Sequence, residues 1–322
     1  KQINDFFKQE VLCRSKMVNN LEERGNTSTT THFVALWDQI QSKKINTGDK
    51  VLFAVQASGI TIGTAAYSLY NLPDRMRRNT GKPEAARAPA IVGKAIAARE
   101  AEGPRIRIES IGSIPEGIET TRDAVEMVRI AGEDCLGKSA YSRDQIDLLI
   151  HAGVHRNDFV VEPAIAAMIA GSLGINGTQG EDSRHTFAFD VFNGAIGSLN
   201  ACHTAVSMIK SGKFHTAMVV ASEIENNADA MPDRLLGICE TGSAMIIDED
   251  VEGATGFGAF HFDYQTHYID AYSSHVGQNS GSNYLSFDKD PEIENYYLQI
   301  IPRVVAELLK RENLNLSQIK AI

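Results

Sequence analysis

The stretch FDVFNGAIGSLNACHTAVSMIKSG, residues 189–212, carries the most informative local pattern of the chain. A short apolar strand runs into the tight turn Asn193–Gly194, and apolar residues then recur at spacings of three and four, which indicates a helix with one buried stripe. The stripe consists of Ile196, Leu199, Cys202, Val206 and Ile209. Lysine and glycine at 210–212 end the helix. The sequence therefore predicts strand, turn and helix, with Ala195 at the helix N-terminus.

The place of Ala195 is one where an enzyme would put a nucleophile. At a helix N-terminus, unpaired N–H groups and the positive end of the dipole lower the pKa of a thiol and stabilise an oxyanion. Alanine has no nucleophilic group, and Cys202 lies about two helical turns, roughly 10 Å, further along. We predict that Cys202 packs in the core and does not react, and that His203 lies at the surface or in an interface.

Predicted strands and helices alternate along the rest of the chain. Helices are expected near residues 3–16, 30–45, 120–136, 162–173, 195–211 and 291–311. Strands are expected near residues 51–55, 61–70, 105–115, 145–154, 185–191, 215–223, 242–250, 255–266 and 319–322. The strands are short runs of Val, Ile, Phe and Ala, which is typical of strands that helices cover on both faces. The sequence predicts an α/β protein with mostly parallel sheets.

Composition excludes several classes of function. The 322 residues carry a net charge of −10 that is spread along the chain, so we expect neither nucleic acid nor a membrane as a partner. Residues 75–82, RMRRNTGK, favour a solvated linker over a basic patch for an acidic partner, although the patch stays open. Four cysteines without CxxC spacing predict no metal site and no disulfide framework. With no long apolar run and no signal peptide, we predict a cytoplasmic protein.

Two other turns are rich in small residues. In ERGNTST, residues 23–29, the Asn26 amide stands before a helix, where it can donate a hydrogen bond to a reacting carbonyl. In VQASGITIG, residues 55–63, Ser58 lies at a crossing with little side-chain bulk, so a backbone N–H can approach a ligand closely. Taken singly, each stretch is more typical of an ordinary turn.

Together, these three stretches resemble the β-ketoacyl-acyl carrier protein synthase III branch of the thiolase superfamily. The resemblance implies a thiolase-like layered α-β-α-β-α fold. It places Ala195 at the position of the acyl-accepting cysteine, Asn26 at the active-site asparagine, and Ser58 at the backbone N–H of the oxyanion hole. It further implies an acyltransferase of fatty acid or polyketide assembly that binds no cofactor, takes acyl-CoA or acyl carrier protein thioesters as substrates, and forms a homodimer or pairs with a second synthase module.

The chain departs from the family pattern in three ways. Its order is rotated: residues 1–72 resemble the C-terminal part of the family, 73–104 read as a linker, and 105–322 resemble the N-terminal part. The loop that carries the catalytic histidine in the family has no counterpart, so no histidine is assigned that role. The tryptophan segment that helps to clamp coenzyme A is also missing, since Trp37 lies in another element.

Two explanations of the rotated order stay open. The chain is either a window across two tandem modules or one module whose segments are reordered, and we favour one fold assembled from both pieces. Reordering predicts that Lys1 and Ile322 lie close in space. Residues 260–279, rich in histidine and aromatic residues, are expected at the acyl tunnel or, more typically, at a dimer interface.

The alanine at 195 separates two classes of function. In the family mechanism the cysteine thiolate is acylated by a thioester, and histidine and asparagine then polarise a second, malonyl-type thioester. With Ala195, we expect binding of acyl thioesters without a covalent acyl-enzyme. The alanine is either an engineered substitution or a natural loss. The alternative is a non-catalytic pseudo-synthase partner; a dehydrogenase is disfavoured because no GxGxxG follows a first strand.

Overall fold

The computed structural model describes residues 17–27, 30–57, 61–78, 104–160, 163–177, 185–253 and 255–321. The helix predicted at residues 3–16, the predicted site residue Ser58, and both Lys1 and Ile322 lie outside these ranges. The predicted proximity of the two termini therefore stays a prediction.

Seven helices and ten strands lie in the described ranges. The helices are α1 (Leu21–Arg24), α2 (Thr31–Gln41), α3 (Leu72–Arg77), α4 (Ala124–Lys138), α5 (Ile165–Ser172), α6 (Gly197–Lys210) and α7 (Ile293–Arg311). The strands are β1 (Lys50–Ala57), β2 (Thr61–Ser68), β3 (Arg105–Ser113), β4 (Leu148–His151), β5 (Phe187–Asp190), β6 (Thr216–Glu223), β7 (Thr241–Asp250), β8 (Gly256–Tyr264), β9 (Tyr272–Asn279) and β10 (Ser282–Lys289).

The larger sheet has five strands in the order β3-β7-β6-β4-β5. Strand β4 pairs in parallel with β5 and with β6, while β7 is antiparallel to both β3 and β6. Four of the five strands therefore run in one direction. Strand β4, sequence LLIH, is buried along its whole length, as expected of a strand that helices cover on both faces.

The second sheet corrects the expectation of mostly parallel sheets. Its three strands, in the order β1-β2-β8, pair only antiparallel. The reason lies in the connections: only residues 58–60 separate β1 from β2, and a parallel pair needs a crossover of a dozen residues or more. The α/β class is confirmed, but strand directions differ between the two sheets.

The two sheets nevertheless share one pairing pattern. In the larger sheet, β3-β7-β6-β4 pair as antiparallel, antiparallel and parallel. In the smaller sheet, β8-β2-β1 continue into a parallel bridge between Val51 and Ala321, which gives the same succession. Strand β8 and Ala321 come from the end of the chain, and β1 and β2 from its start. The second sheet is thus completed by segments from both ends of the described chain.

Five layers follow from the packing of the helices, which confirms the layered fold. Helices α4 and α5 pack on the outer face of the larger sheet, through residues such as Val128 and Ile165. Helices α2 and α6 lie between the sheets, with Phe33 and Leu199 in the same apolar core. Helix α7 covers the outer face of the smaller sheet, where Val304 packs in one cluster with residues of β1 and β2.

The segment predicted as a linker from residue 73 begins with a packed helix instead. Pro73 and Met76 of α3 are buried. Arg75 forms an ion pair with Glu109 at 3.1 Å, and Arg77 donates to the backbone carbonyl of Ile40 at 2.7 Å. These arginines satisfy buried acceptors of the fold, so the described part of the basic stretch is neither a solvated linker nor a free cationic patch.

Residues 260–279 form the end of β8, a 3₁₀ turn at Thr266–Ala271 and strand β9. Strand β9 pairs with β10 in a hairpin whose strands are largely exposed. The hairpin is attached through Asn227, whose side chain exchanges two hydrogen bonds with the backbone of Leu285 at 2.8 and 2.9 Å. A role of this region in a tunnel or an interface stays a prediction.

Candidate functional site

The turn that carries Ala195 has the predicted form. Strand β5 ends at Asp190, the N–H of Val191 donates to the carbonyl of His151 at 2.7 Å, and helix α6 begins at Gly197. Gly194 adopts a φ of +52°, in the left-handed region that favours glycine. Ala195 is half-buried against the core, at the entry to the helix. The side chain at 195 therefore stands at the positive end of the α6 dipole.

Two close contacts hold this turn in place. The Asn193 amide donates to Oδ1 of Asn200 at 2.6 Å, which ties the turn to the first turn of α6. Gly197 lies so close to the neighbouring strand that a Cβ there would sit 3.1 Å from the carbonyl of Ala152. Both contacts fix the backbone on either side of residue 195.

Cys202 and His203 lie where the helical pattern places them. Cys202 is 3% exposed, and burial raises the pKa of its thiol to about 12. A thiol in that state is a packing group and not a nucleophile. His203 is exposed and lies beside the rings of Phe260 and Phe262, with ring centroids 4.9 and 5.5 Å away. Partial burial lowers the pKa of His203, so the neutral ring is favoured.

Asn26 lies in a turn between α1 and α2. Its carbonyl accepts the N–H of Cys239 at 2.7 Å, and it forms a bridge with Ile238. Gly25 before it adopts a φ of +67° and packs on Cys239, whose Cβ would be 3.0 Å from a Cβ at Gly25. The backbone of Asn26 is thus supported from the segment that precedes β7.

The first turns of α2 and α6 meet at a small apolar cavity of about 10 Å³, which is space for one water molecule. Its lining comes from α2, β1, α6, β7 and β8: His32, Phe33, Phe53, Ser198, Leu199, Cys202, Met245 and Phe257. The structure therefore brings together the helices that follow Asn26 and Ala195, and the strand that leads to Ser58. The convergence of the three residues themselves stays a prediction, since Ser58 is outside the described ranges.

Sequence reasoning missed a polar cluster at the carboxyl ends of the parallel strands. His151 ends β4 and Asp190 ends β5, and Nδ1 of His151 lies 3.5 Å from Oδ1 of Asp190. Asp190 also accepts the N–H groups of Ile165 and Ala166 at 3.0 and 2.8 Å, and Arg156 lies 3.3 Å from its second oxygen. The aspartate thereby caps α5 and ties the strand before Ala195 to that helix.

The ionisation of this cluster follows from its surroundings. Burial lowers the pKa of His151, which has no exposed surface, so its neutral form is favoured. Burial also disfavours charge on Asp190, but the contacts with His151, with the N–H of Ala166 and with Arg156 outweigh it and lower the pKa of the carboxyl. A histidine this deeply buried supports the fold.

A second buried carboxylate organises the loop after β4. Glu223, the last residue of β6, accepts the N–H groups of Val154 and His155 at 3.1 and 2.8 Å, and Nδ1 of His155 lies 2.7 Å from its carboxylate. One signal in the sequence points to these residues: His151, Asp190 and Glu223 each end an apolar strand. Adjacent parallel strands bring such ends to one edge, where α/β proteins bind ligands.

No group of three or more His, Cys, Asp or Glu in the described ranges is arranged to hold a metal ion. No helix among them is both long and apolar enough to cross a membrane.

Comparison with known proteins gives one consistent family. Residues 2–69 match the family described as 3-Oxoacyl-[acyl-carrier-protein (ACP)] synthase III C terminal. The β-ketoacyl-[acyl-carrier-protein] synthase III of Acholeplasma laidlawii is 25% identical over 206 residues, 62% of this chain and 59% of that protein. The enzyme of the same name from Aliarcobacter butzleri is 33% identical over 93 residues, 29% of this chain and 25% of that protein.

A solved structure agrees at the level of the fold. A 3-oxoacyl-(acyl-carrier-protein) synthase III superimposes with a TM-score of 0.51 at 17% identity, covering 66% of this chain and 75% of that one. The rotated order of the segments stays a prediction of the sequence. The chain spans 59% of the length of curated relatives such as the Acholeplasma protein.

Proposed function

We propose that this chain, which is similar to β-ketoacyl-[acyl-carrier-protein] synthase III, binds acyl thioesters at the Ala195 turn without becoming acylated. The thioester carbonyl accepts the backbone N–H groups of Ala195 and Ser58, and Asn26 polarises a second thioester carbonyl. Acyl-CoA or an acylated carrier protein supplies the thioester.

The observation that carries this proposal is the side chain at 195. The turn, the helix N-terminus and the buried stripe have the form that serves a nucleophile, but the methyl group of Ala195 cannot attack a carbonyl. Cys202, the nearest thiol in the sequence, is buried and has its pKa raised to about 12. Binding without covalent chemistry is what this arrangement supports.

The direct test restores the thiol. The chain and its Ala195→Cys variant are incubated with acetyl-CoA or an acylated carrier protein, and intact masses are measured. We expect a single acyl adduct on the variant: the thiolate attacks the thioester carbon, the carbon–sulfur bond breaks, and the coenzyme or carrier thiol leaves with the proton. The unmodified chain should bind acetyl-CoA in calorimetry without gaining mass.

Two controls make that test specific. Cys202→Ala in the Ala195→Cys background should keep the adduct, which places it at residue 195. Ala195→Ser should fold equally well and show no stable adduct under the same conditions, since its hydroxyl lacks a base. Absence of binding by the unmodified chain, and of an adduct with any thioester, would remove the proposed function.

A second candidate, a non-catalytic partner of another synthase module, is favoured by the sheet edge. Strand β5 lies at one edge of the larger sheet, and Phe187 at its start and Phe192 just after its end are 51% and 66% exposed. An edge strand with exposed aromatic residues is suited to pairing with another chain. A homodimer, or a pair with an active synthase, would bury both rings. A cytoplasmic location stays a prediction of the sequence.

The oligomeric state tests this candidate. Sedimentation analysis should show a dimer that Phe187→Lys converts to monomer, while Val251→Lys, at another exposed apolar side chain, leaves it unchanged. A monomer at all concentrations would refute self-pairing and leave only pairing with a different module.

A further inference from the structure

A buried carboxylate supports the segment on which Asn26 rests. Glu225 is 9% exposed, and its two oxygens accept four backbone N–H groups. One oxygen accepts those of Asn227 and Leu236, both at 3.1 Å, and the other accepts those of Gly237 and Ile238 at 2.9 and 3.2 Å. Hydrogen bonds to an ionised acceptor are about twice as strong as neutral ones. The carboxylate therefore defines the conformation of residues 236–238.

That segment is the direct neighbour of the proposed site. Ile238 forms the bridge with Asn26, and the next residue, Cys239, donates its N–H to the Asn26 carbonyl at 2.7 Å. Gly25 packs on the Cys239 side chain. The contacts from Glu225 to Asn26 are continuous, because the carboxylate binds the backbone of residues 236–238 and residues 238–239 bind the Asn26 turn.

Regular secondary structure contributes little to the conformation of residues 224–240. Between β6 and β7 the only regular element is a 3₁₀ turn at Pro232–Arg234, and Gly237 has a φ of +76°. A loop of this kind depends on side-chain acceptors for its backbone N–H groups. Without the Glu225 carboxylate, backbone N–H groups of this loop would lose their acceptor. Leaving such a group unpaired costs more free energy than its hydrogen bond contributes to stability.

We propose that Glu225 is a positioning residue of the thioester site. It holds residues 236–239 in the shape that seats the Asn26 turn, and thereby sets where the Asn26 carboxamide meets a thioester carbonyl. This inference rests on the proposed function for its consequence, but its structural half concerns only the backbone of residues 25–26 and 236–239.

The first experiment tests the structural half without a ligand. Hydrogen exchange is compared for Glu225→Gln and for the matched variant Glu240→Gln. Glu240 accepts the N–H of Glu225 and pairs with Arg122, but it does not contact the N–H groups of residues 236–238. We expect exchange at residues 25–27 and 236–239 to rise about tenfold or more in Glu225→Gln only. Equal exchange in the two variants would overturn the proposal.

The second experiment tests the consequence for the thioester. The carbonyl stretch of bound malonyl-CoA, labelled with ¹³C at the thioester carbonyl that Asn26 is proposed to polarise, is measured by difference infrared spectroscopy in the chain, Asn26→Ala, Glu225→Gln and the double variant. If Glu225 acts through Asn26, each single variant should lose the same part of the shift and the double variant no more. A merely structural loss lowers occupancy but leaves the stretch of the bound fraction unchanged.

The outcomes separate the two proposals. Additive effects, or an unchanged stretch in Glu225→Gln, would overturn the positioning role while the thioester site stands. If the unmodified chain binds no acetyl-CoA and no acylated carrier protein, the proposed function fails, and the exchange experiment alone decides whether Glu225 seats the Asn26 turn.

Discussion

The two sheets reach the same pairing pattern by different routes. The larger sheet is built from residues 105–250, in unbroken succession along the chain. The smaller sheet joins β1 and β2 to β8, and paired residues such as Thr64 and His261 are 197 positions apart. It follows that the fold depends on which sheet edges and helix faces meet, and not on the order in which the chain supplies them. The same difference also identifies the pairing of β8 with β2 as the non-local one, since most of the sequence separates these two strands.

The largest effect on the free energy of unfolding is expected from a substitution that weakens the packing of β8 against β2. Phe257 of β8 is 3% exposed and packs edge-on against Tyr67 of β2, with ring centroids 5.2 Å apart. Phe257→Ala should lower the free energy of unfolding by about 3–5 kcal/mol, because it removes a buried ring and leaves a cavity. Urea unfolding measures this loss. Phe262→Ala, at a half-buried ring of the same strand, is the control. Equal losses of unfolding free energy in the two variants would show that the contact between β8 and β2 contributes no more than the rest of the strand.

A smaller effect is expected where β8 approaches the other sheet. A Cβ on Gly256, which has a φ of +142°, would lie 2.2 Å from the carbonyl of Ile106 in β3. Gly256→Ala should destabilise the protein by about 1–3 kcal/mol more than Gly253→Ala, since overpacking forces the backbone to shift. Gly253 has a φ of +66° but open space around it, so the pair separates crowding from backbone conformation. Similar melting temperatures for both variants would contradict this contact.

The smallest effect is expected within the larger sheet and depends on pH. Asp190→Asn should cost about 1–2 kcal/mol at pH 7, because the charged bonds that cap α5 become neutral. Since the folded-state pKa of Asp190 is lowered, its contribution is present above the unfolded value of about 4 and is lost as the pH falls through the folded value.

Unfolding free energies measured from pH 7 down to about pH 2 test this sign, because the gap between the chain and Asp190→Asn should close at low pH. Asp229→Asn, at an 89% exposed side chain, should leave stability nearly unchanged throughout. A gap that widens on acidification would show that Asp190 is not the ionised member of the cluster.

The contrast between local and non-local pairing in the two sheets explains what the sequence predicts well. The strand, turn and helix around Ala195 depend on local spacing, so the period of residues 196–209 was sufficient to predict α6. The pairing of β8 with β2 is non-local, and the spacing of residues along either strand carries no information about it.

The polar residues were harder to predict, for a physical reason. His151, Asp190, Glu223 and Glu225 are single polar residues at or just after the ends of buried strands, and each looks like an ordinary boundary in the sequence. The three carboxylates accept backbone N–H groups that become available only once loops have folded against them, and His151 faces Asp190 of the neighbouring strand. Likewise, residues 73–77 resembled a linker because Arg75 and Arg77 are charged, whereas their acceptors, Glu109 and the carbonyl of Ile40, lie elsewhere in the chain.

The measurement that bears most directly on the central claim is a crystal structure of the unmodified chain soaked with acetyl-CoA. We predict an intact thioester whose carbonyl oxygen lies within hydrogen-bonding distance of the Ala195 backbone N–H, with Asn26 facing the same pocket. A thioester bound away from the Ala195 turn, or electron density showing the acyl group bonded to another side chain, would contradict it.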